Sequence, residues 1–315
     1  MVDVGGTIMW SEAAGRSSMN TVTLTMTGIT GLGLLMGSMG LAPVANDDAP
    51  EEIILTGVVR DFQEKTAENG HPDFEQRPNR GFGMYCGNVS SQLGQDGKPA
   101  FNGQGWKLRK QWKDSNGRNI CWKLYDQNLG DSKGRKDGYD TGGISSSESF
   151  SLWFRDDPRY NSSKLLDMKL ERQPNGAYVF DSDDSEIYSS RGGFFPIDHE
   201  LYGNSGGSGP DHNFHFTFEL KTEFTYSEDG AQVFTFRGDD DVWVFINNEM
   251  VIDLGGVHGA IEQTVDLNRL GLADGEVYEL AFFFAERHRT QSNFRITTNL
   301  KLETIKLPTV TAAYD

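Results

Sequence analysis

Cysteine is scarce: the 315 residues hold two, Cys86 and Cys121. Neither belongs to a Cys-x-x-Cys pair, which excludes a zinc site of the paired-cysteine kind. Two readings of the pair remain, a single disulfide and two buried thiols, and the disulfide is the expectation for a secreted chain. Closing that loop would stabilise the fold by about 4 kcal/mol. Long apolar runs are lacking as well. The charge-free stretch "NTVTLTMTGITGLGLLMGSMGLAPVA", 20 to 45, is diluted by Gly and Thr, so no stable membrane span is predicted. A secretory signal over 1–45 fits better, although Arg16 is the one basic residue before the run. An uncleaved tail is the alternative. Positive charge is the third shortage, with 29 Lys and Arg against 46 Asp and Glu and a net charge of -17. That balance argues against nucleic acid and anionic membranes as partners, since both are polyanions. It agrees with divalent cations, and equally with a solvated acidic surface.

Helical periodicity is the last shortage. Gly is abundant, at 37 residues, and aromatics make up 11% of the chain. Together these predict an all-β fold with many turns. After an acidic linker at 46–54, "IILTGVVRDF" opens as a strand. Residues 63–146 read as a loop-rich insertion, and 148–303 as the strand-rich core, followed by a tail at 304–315. "ESFSLWFRD", 148 to 156, predicts a strand with Phe150, Leu152 and Phe154 on one face. "HNFHFTFEL", 212 to 220, is the clearest alternation. It predicts Phe214, Phe216, Phe218 and Leu220 inside, with Asn213, His215, Thr217 and Glu219 on a wet face. "VWVFINNEMVIDLGG" predicts a hairpin turning at Asn247-Asn248. Closely spaced strands without helical crossovers mean a sandwich or a closed barrel.

The chemistry-bearing stretch is "RGDDDVWVFINN". Asp239, Asp240 and Asp241 stand at the mouth of an apolar strand. Successive strand side chains point to opposite faces, so adjacent carboxylates converge on one ion only if the backbone departs from strand geometry. A bulge does this, and so does a cis peptide. Calcium takes six to eight hard oxygens of the carboxylate and carbonyl kind. A solvated Asx-turn is the competing explanation. Two further stretches add polar residues at strand ends: "VIDLGGVHGA", with Gly256 and His258, and "FFFAERHRTQSNFRI", with Glu286, Arg287, His288 and Asn293. His258 and His288 are zinc-ligand types, but their hard-oxygen surroundings favour calcium. Glu286 with Asp240 imitates a glycosidase acid pair, yet nothing in the spacing requires it.

"GDDDVWVFINNEMVIDLGGVHG" and "LGLADGEVYELAFFFAERHRTQSNFRI" resemble the fibro-slime domain. So do "LTGVVRDF", "HPDFE", "ESFSLWFRDDPRYN" and "FFPIDHELYG", and the resemblance runs from Leu55 to Glu303. That family is similar to the protective-antigen-type antiparallel β-sandwich of lectins and adhesins. The resemblance implies that Asp239 and Asp240, joined by a cis peptide, bind calcium, which in turn binds sugar hydroxyls. Where the wider group often has Gly, this chain has Asp241, which is placed among the metal ligands with Asn293 and Glu286. Gly256, His258, Arg287 and His288 are placed around the ligand.

Two functions follow as expectations. One is a secreted or cell-surface, calcium-dependent carbohydrate-binding module. The other is a structural matrix protein in which calcium stabilises the fold and copies associate. An enzyme is not expected: there is no His-Glu-x-x-His.

Overall fold

The computed structural model describes residues 49–205 and 209–304. The expected signal segment, residues 46–48 of the linker and the tail from 305 lie outside the described residues. The first strand is β1 (Glu52–Phe62). The insertion contributes β2 (Tyr85–Cys86), β3 (Gly105–Lys110), β4 (Trp112–Lys113), β5 (Asn119–Ile120) and β6 (Arg135–Asp140). The remaining strands are β7 (Asn161–Arg172), β8 (Tyr178–Asp181), β9 (Phe216–Thr225), β10 (Val233–Gly238), β11 (Asp241–Ile246), β12 (Glu249–Leu254), β13 (Ile261–Asp266), β14 (Val277–Glu286), β15 (Phe294–Thr298) and β16 (Glu303–Thr304).

The fold is an all-β antiparallel sandwich. Its strands follow the order β12-β11-β14-β9-β1-β7-β8-β15-β10-β13, with β16 added beside β9. The two end strands return to each other. Gln263 of β13 accepts from the Asp253 amide (2.9 Å) and donates to its carbonyl (3.2 Å) on β12. The insertion forms two small sheets of its own, β2-β3-β6 and β4-β5.

Burial explains why the strongest strands carry unbroken apolar runs. All six residues of β11 are buried. Val242, Val244 and Ile246 enter the main core with Phe216, Phe218, Phe282, Phe284 and Phe294. Trp243 and Phe245 point the other way, into a second core with Phe150, Trp153, Phe154, Ile144 and Cys121. β14 divides likewise, Phe282 and Phe284 one way and Phe283 the other. Each such side chain contributes about 1.5–3 kcal/mol when fully buried. β11 and β14 are therefore two-sided strands, covered by the insertion and by the segment before β7. The hairpin turn is as the sequence predicts: Asn247 and Asn248 both take positive φ (50° and 65°) between β11 and β12.

Three expectations are corrected. The "wet" face before and along β9 is largely buried: Asn213, His215 and Thr217 are all closed off from solvent. The Thr217 hydroxyl donates to the Trp153 carbonyl, so the covering segment satisfies it. "ESFSLWFRD" is not a strand. Ser146 and Ser149 form a capping box that starts a short helix, α1 (Ser147–Ser151). Phe150, Trp153 and Phe154, at helical spacing, then bury together. The third correction concerns the disulfide: Cys86 and Cys121 are free thiols. Cys86 packs with Trp112 and Ile120, whereas Cys121 joins the second core, so each fills its own apolar niche as a small hydrophobe. Burial pushes both thiols up, away from reactivity.

Candidate functional site

The site forms where β10 ends and β11 begins. Gly238 closes β10 against β15, and a Cβ there would meet the Asn293 carbonyl at 2.3 Å. The close approach brings Asp239 to Asn293. The Asp239 amide donates to the Asn293 carbonyl (3.2 Å), and Asn293 Nδ2 donates to Asp239 Oδ2 (2.9 Å). The Asn293 amide also donates to Asp239 Oδ1. The Asp239–Asp240 peptide bond is cis.

Asp240 is 4% exposed. Its Oδ1 accepts from the His258 amide (3.2 Å) and its Oδ2 from the Arg287 amide (3.4 Å). Among the described residues no charged side chain donates to it. Burial first, and Asp241 second, hold its carboxyl well above the ordinary carboxylate range, with Arg287 pulling it back. Glu286, the last residue of β14, is fully buried. Its Oε1 accepts from the His288 amide (3.4 Å), and among the described residues its Oε2 has no hydrogen-bond partner. Burial, then Asp240 and Asp239, raise its carboxyl well above the usual range. Asp239 is raised too, by burial against the bonds from Asn293. Each of these three groups is thus held in a place unfavourable to its own charge.

Asp241 differs. Arg287 Nε donates to Asp241 Oδ2 and Arg287 Nη2 to Oδ1 (3.3 Å), while the Gly256 amide also donates to Oδ1. Both of its oxygens are committed to a charge-assisted fork. Arg287 is itself fully buried, donates to the carbonyls of Gly142 (2.6 Å), Gly143 (3.4 Å) and Asp73 (3.4 Å), and lies over the Trp153 ring at 5.2 Å. It is a clamp between Asp241 and the insertion, not a surface group. Gly256, at φ +91°, has no room for a side chain, since a Cβ would lie 2.4 Å from Tyr85. The His258 ring nitrogens face the carbonyls of Gly259 (3.0 Å) and Leu254 (3.2 Å), and burial lowers its pKa. The half-buried His288 reaches Glu75 (3.3 Å) and meets the Phe82 ring edge-on at 4.8 Å.

The structure therefore brings Asp239, Asp240, Asp241, Asn293 and Glu286 together at one strand end, with Gly256, His258 and Arg287 around them. Four carboxylates face one guanidinium. The donors are hard oxygens, and one buried carboxylate oxygen lacks a hydrogen-bond partner among the described residues. That set fits a calcium ion: Asp239, Asp240 and Glu286 would hold it with carboxylates, and Asn293 would offer its amide oxygen. A second group has donor atoms all within 4.8 Å of one another, Glu64, Glu75 and His215. There Arg289 lies 2.8 Å from Glu64 and 3.2 Å from Glu75, so a cation is already supplied.

The length and aromatics of the 63–146 insertion suggest that it shapes the binding face, but the sequence does not single out which of its residues do so. Gly142, Gly143, Asp73, Glu75 and Phe82 all reach the site. The available signal was "HPDFEQRPNRGFG", a polar, Gly- and Pro-rich segment too dense in Asp, Glu and Arg to be a plain connection.

Comparison with known proteins places this geometry in context. The model of the PA14 domain matches residues 196–313, a segment that holds Asp239, Asp240, Glu286 and Asn293 but not the insertion. Protein psiH of Dictyostelium discoideum is 48% identical over 118 residues, covering 35% of this chain and 16% of its own length. Protein psiD is 38% identical over 162 residues (50% and 30%), and protein psiC is 37% identical over 171 residues (52% and 31%). The chain thus spans less than a third of the length of these relatives. A solved β-glucosidase from Kluyveromyces marxianus in complex with glucose aligns with a TM-score of 0.20 and 15% identity, over 32% of this chain and 12% of that one, and carries no argument.

Proposed function

We propose that this domain is an extracellular carbohydrate-binding or adhesion module of the fibro-slime kind, with calcium held by Asp239, Asp240, Glu286 and Asn293. The observation that carries the reading is the buried carboxylate group with an unpartnered Glu286 Oε2 beside it. Burying such charges without a counter-ion is costly, and a divalent cation removes the cost. The PA14 match over the same residues supports a binding module rather than an enzyme. Phe82, 44% exposed and packed edge-on against His288, supplies an apolar surface next to the ion for a sugar ring. Among the described residues no helix is long and apolar enough to cross a membrane.

A second reading rests on the depth of the same residues. Glu286 is fully buried and Asp240 nearly so, as suits an ion that only stabilises the fold of a matrix protein whose copies associate. A glycan array, probed with and without a chelator, separates the two. Calcium-dependent binding to sugars supports the module. No sugar binding in excess calcium, with a chelator-induced fall in melting temperature, would leave only the structural role.

A further inference from the structure

A groove of about 510 Å³ lies on the insertion, lined by Asn79, Arg80, Gln104, Asp137, Tyr139 and Asp140, with Thr141 at one end. Its volume falls within the range of small-molecule sites, about 300–1,000 Å³. Both walls run into the carboxylate site. Thr141 is followed by Gly142 and Gly143, whose carbonyls hold Arg287. Arg80 is followed by Gly81 and Phe82, and Phe82 meets His288. The groove therefore lies on the same stretches of the insertion that reach the carboxylate site.

Its frame is fixed and its chemistry is not used up. Arg80 donates from its amide to Asp140 Oδ2 (2.6 Å) and from Nε to the Tyr139 carbonyl (2.9 Å). Gly138 makes this possible, because a Cβ there would lie 2.3 Å from the Arg80 guanidinium carbon. Lys107 ties the Arg80 carbonyl from behind (2.6 Å). Asp140 is buried beneath the groove floor as part of that frame. Among the described residues, the side chains of Asn79, Gln104 and Thr141 make no hydrogen bond. Tyr139 is 60% exposed, and its ring is backed by Trp106 at 5.5 Å, itself capped by the Lys136 ammonium at 3.2 Å. Asp137 is paired with Arg109 (2.7 Å), so the groove carries no excess positive charge and does not suit a polyanion. An exposed aromatic face among unused amides and a hydroxyl matches a neutral, hydroxyl-rich ring.

We propose that this groove is a second subsite, taking the next neutral sugar residue of a glycan whose first residue sits at the Asp239–Asp240 end. The inference rests on the carbohydrate reading above and gives the insertion its role. Tyr139 is the stacking platform, and Gln104, Asn79 and Thr141 take the hydroxyls.

The test uses the full chain with saturating calcium. Its probes are immobilised glucose, galactose and mannose, each as monosaccharide, disaccharide and tetrasaccharide. Wild type is expected to bind the preferred tetrasaccharide about tenfold more tightly than its monosaccharide. Tyr139→Ala loses that length preference and keeps monosaccharide binding, and Gln104→Ala loses part of it. Both side chains are exposed, so the variants keep the wild-type melting temperature. Calcium-dependent monosaccharide binding with no length preference, or a length preference unchanged in Tyr139→Ala, overturns the subsite and leaves the calcium reading standing. Oligosaccharide binding that survives chelation but falls in Tyr139→Ala overturns the calcium reading and keeps the groove. Failure of wild type to bind any of the probes overturns both.

Discussion

Two acidic clusters lie close together in this fold, and they solve the same problem differently. Glu64, Glu75 and His215 have the more convergent donor atoms. Their charge is answered by Arg289, and Glu75 also meets His288. Asp239, Asp240 and Glu286 are more deeply buried, and the nearest guanidinium, Arg287, is committed to Asp241. Donor convergence alone would single out the first cluster. Charge balance and the orphaned Glu286 Oε2 single out the second. Under the calcium proposal, uncompensated charge marks the metal site more than crowding of oxygens does.

The largest effect expected from breaking this comparison is at Arg287. Arg287→Leu leaves Asp241 buried without its partner and unties Gly142 and Gly143. Urea unfolding should show a loss of about 3–5 kcal/mol. Next is calcium itself. At a hundredfold excess over its dissociation constant it should stabilise the wild type by about 2.7 kcal/mol, read as a rise in melting temperature that a chelator reverses.

Proton binding gives the background on which both effects sit. Burial holds Asp61 at about 7 and Asp253 at about 6, against an ordinary 3.8. The folded chain then binds more protons than the unfolded one between those values, so its stability falls as pH rises from about 4 to about 7 and levels off above. The expected fall is several kcal/mol in chelator, at about 1.4 kcal/mol per unit of raised pKa, and Asp61→Asn should flatten the upper part of the slope.

Glu286→Gln removes one uncompensated charge. It should raise calcium-free stability by on the order of 1 kcal/mol and abolish the thermal response to calcium. The smallest effect belongs to the balanced cluster. Glu64→Gln, at a half-buried salt bridge with Arg289, should cost about 0–1 kcal/mol and leave the calcium response intact. If Glu64→Gln removed the response and Glu286→Gln kept it, the two clusters would exchange roles.

Much of this was legible locally. The alternation of β9, the Asn247-Asn248 turn and the apolar runs of β11 and β14 follow from the chain's own periodicity. Asp239, Asp240, Glu286 and Asn293 sit at the ends of those strong strands, where the sequence marks them. What was hidden is whatever depends on the insertion's docking. Asn213, His215 and Thr217 read as a wet face because nothing nearby in sequence announces that Trp153 will cover them. Phe150, Leu152 and Phe154 alternate like a strand, yet the Ser146–Ser149 capping box starts a helix there. The pairing of Arg287 with Gly142 crosses 145 positions and has no local signal. The two cysteines counted as a pair, and packing placed each in its own cluster.

The most direct measurement is calorimetric titration of calcium into the metal-stripped chain, beside Asp240→Asn and Glu286→Gln. The account predicts one calcium per chain for the wild type and none for either variant. No calcium uptake by the wild type, or equal uptake by all three, would contradict it.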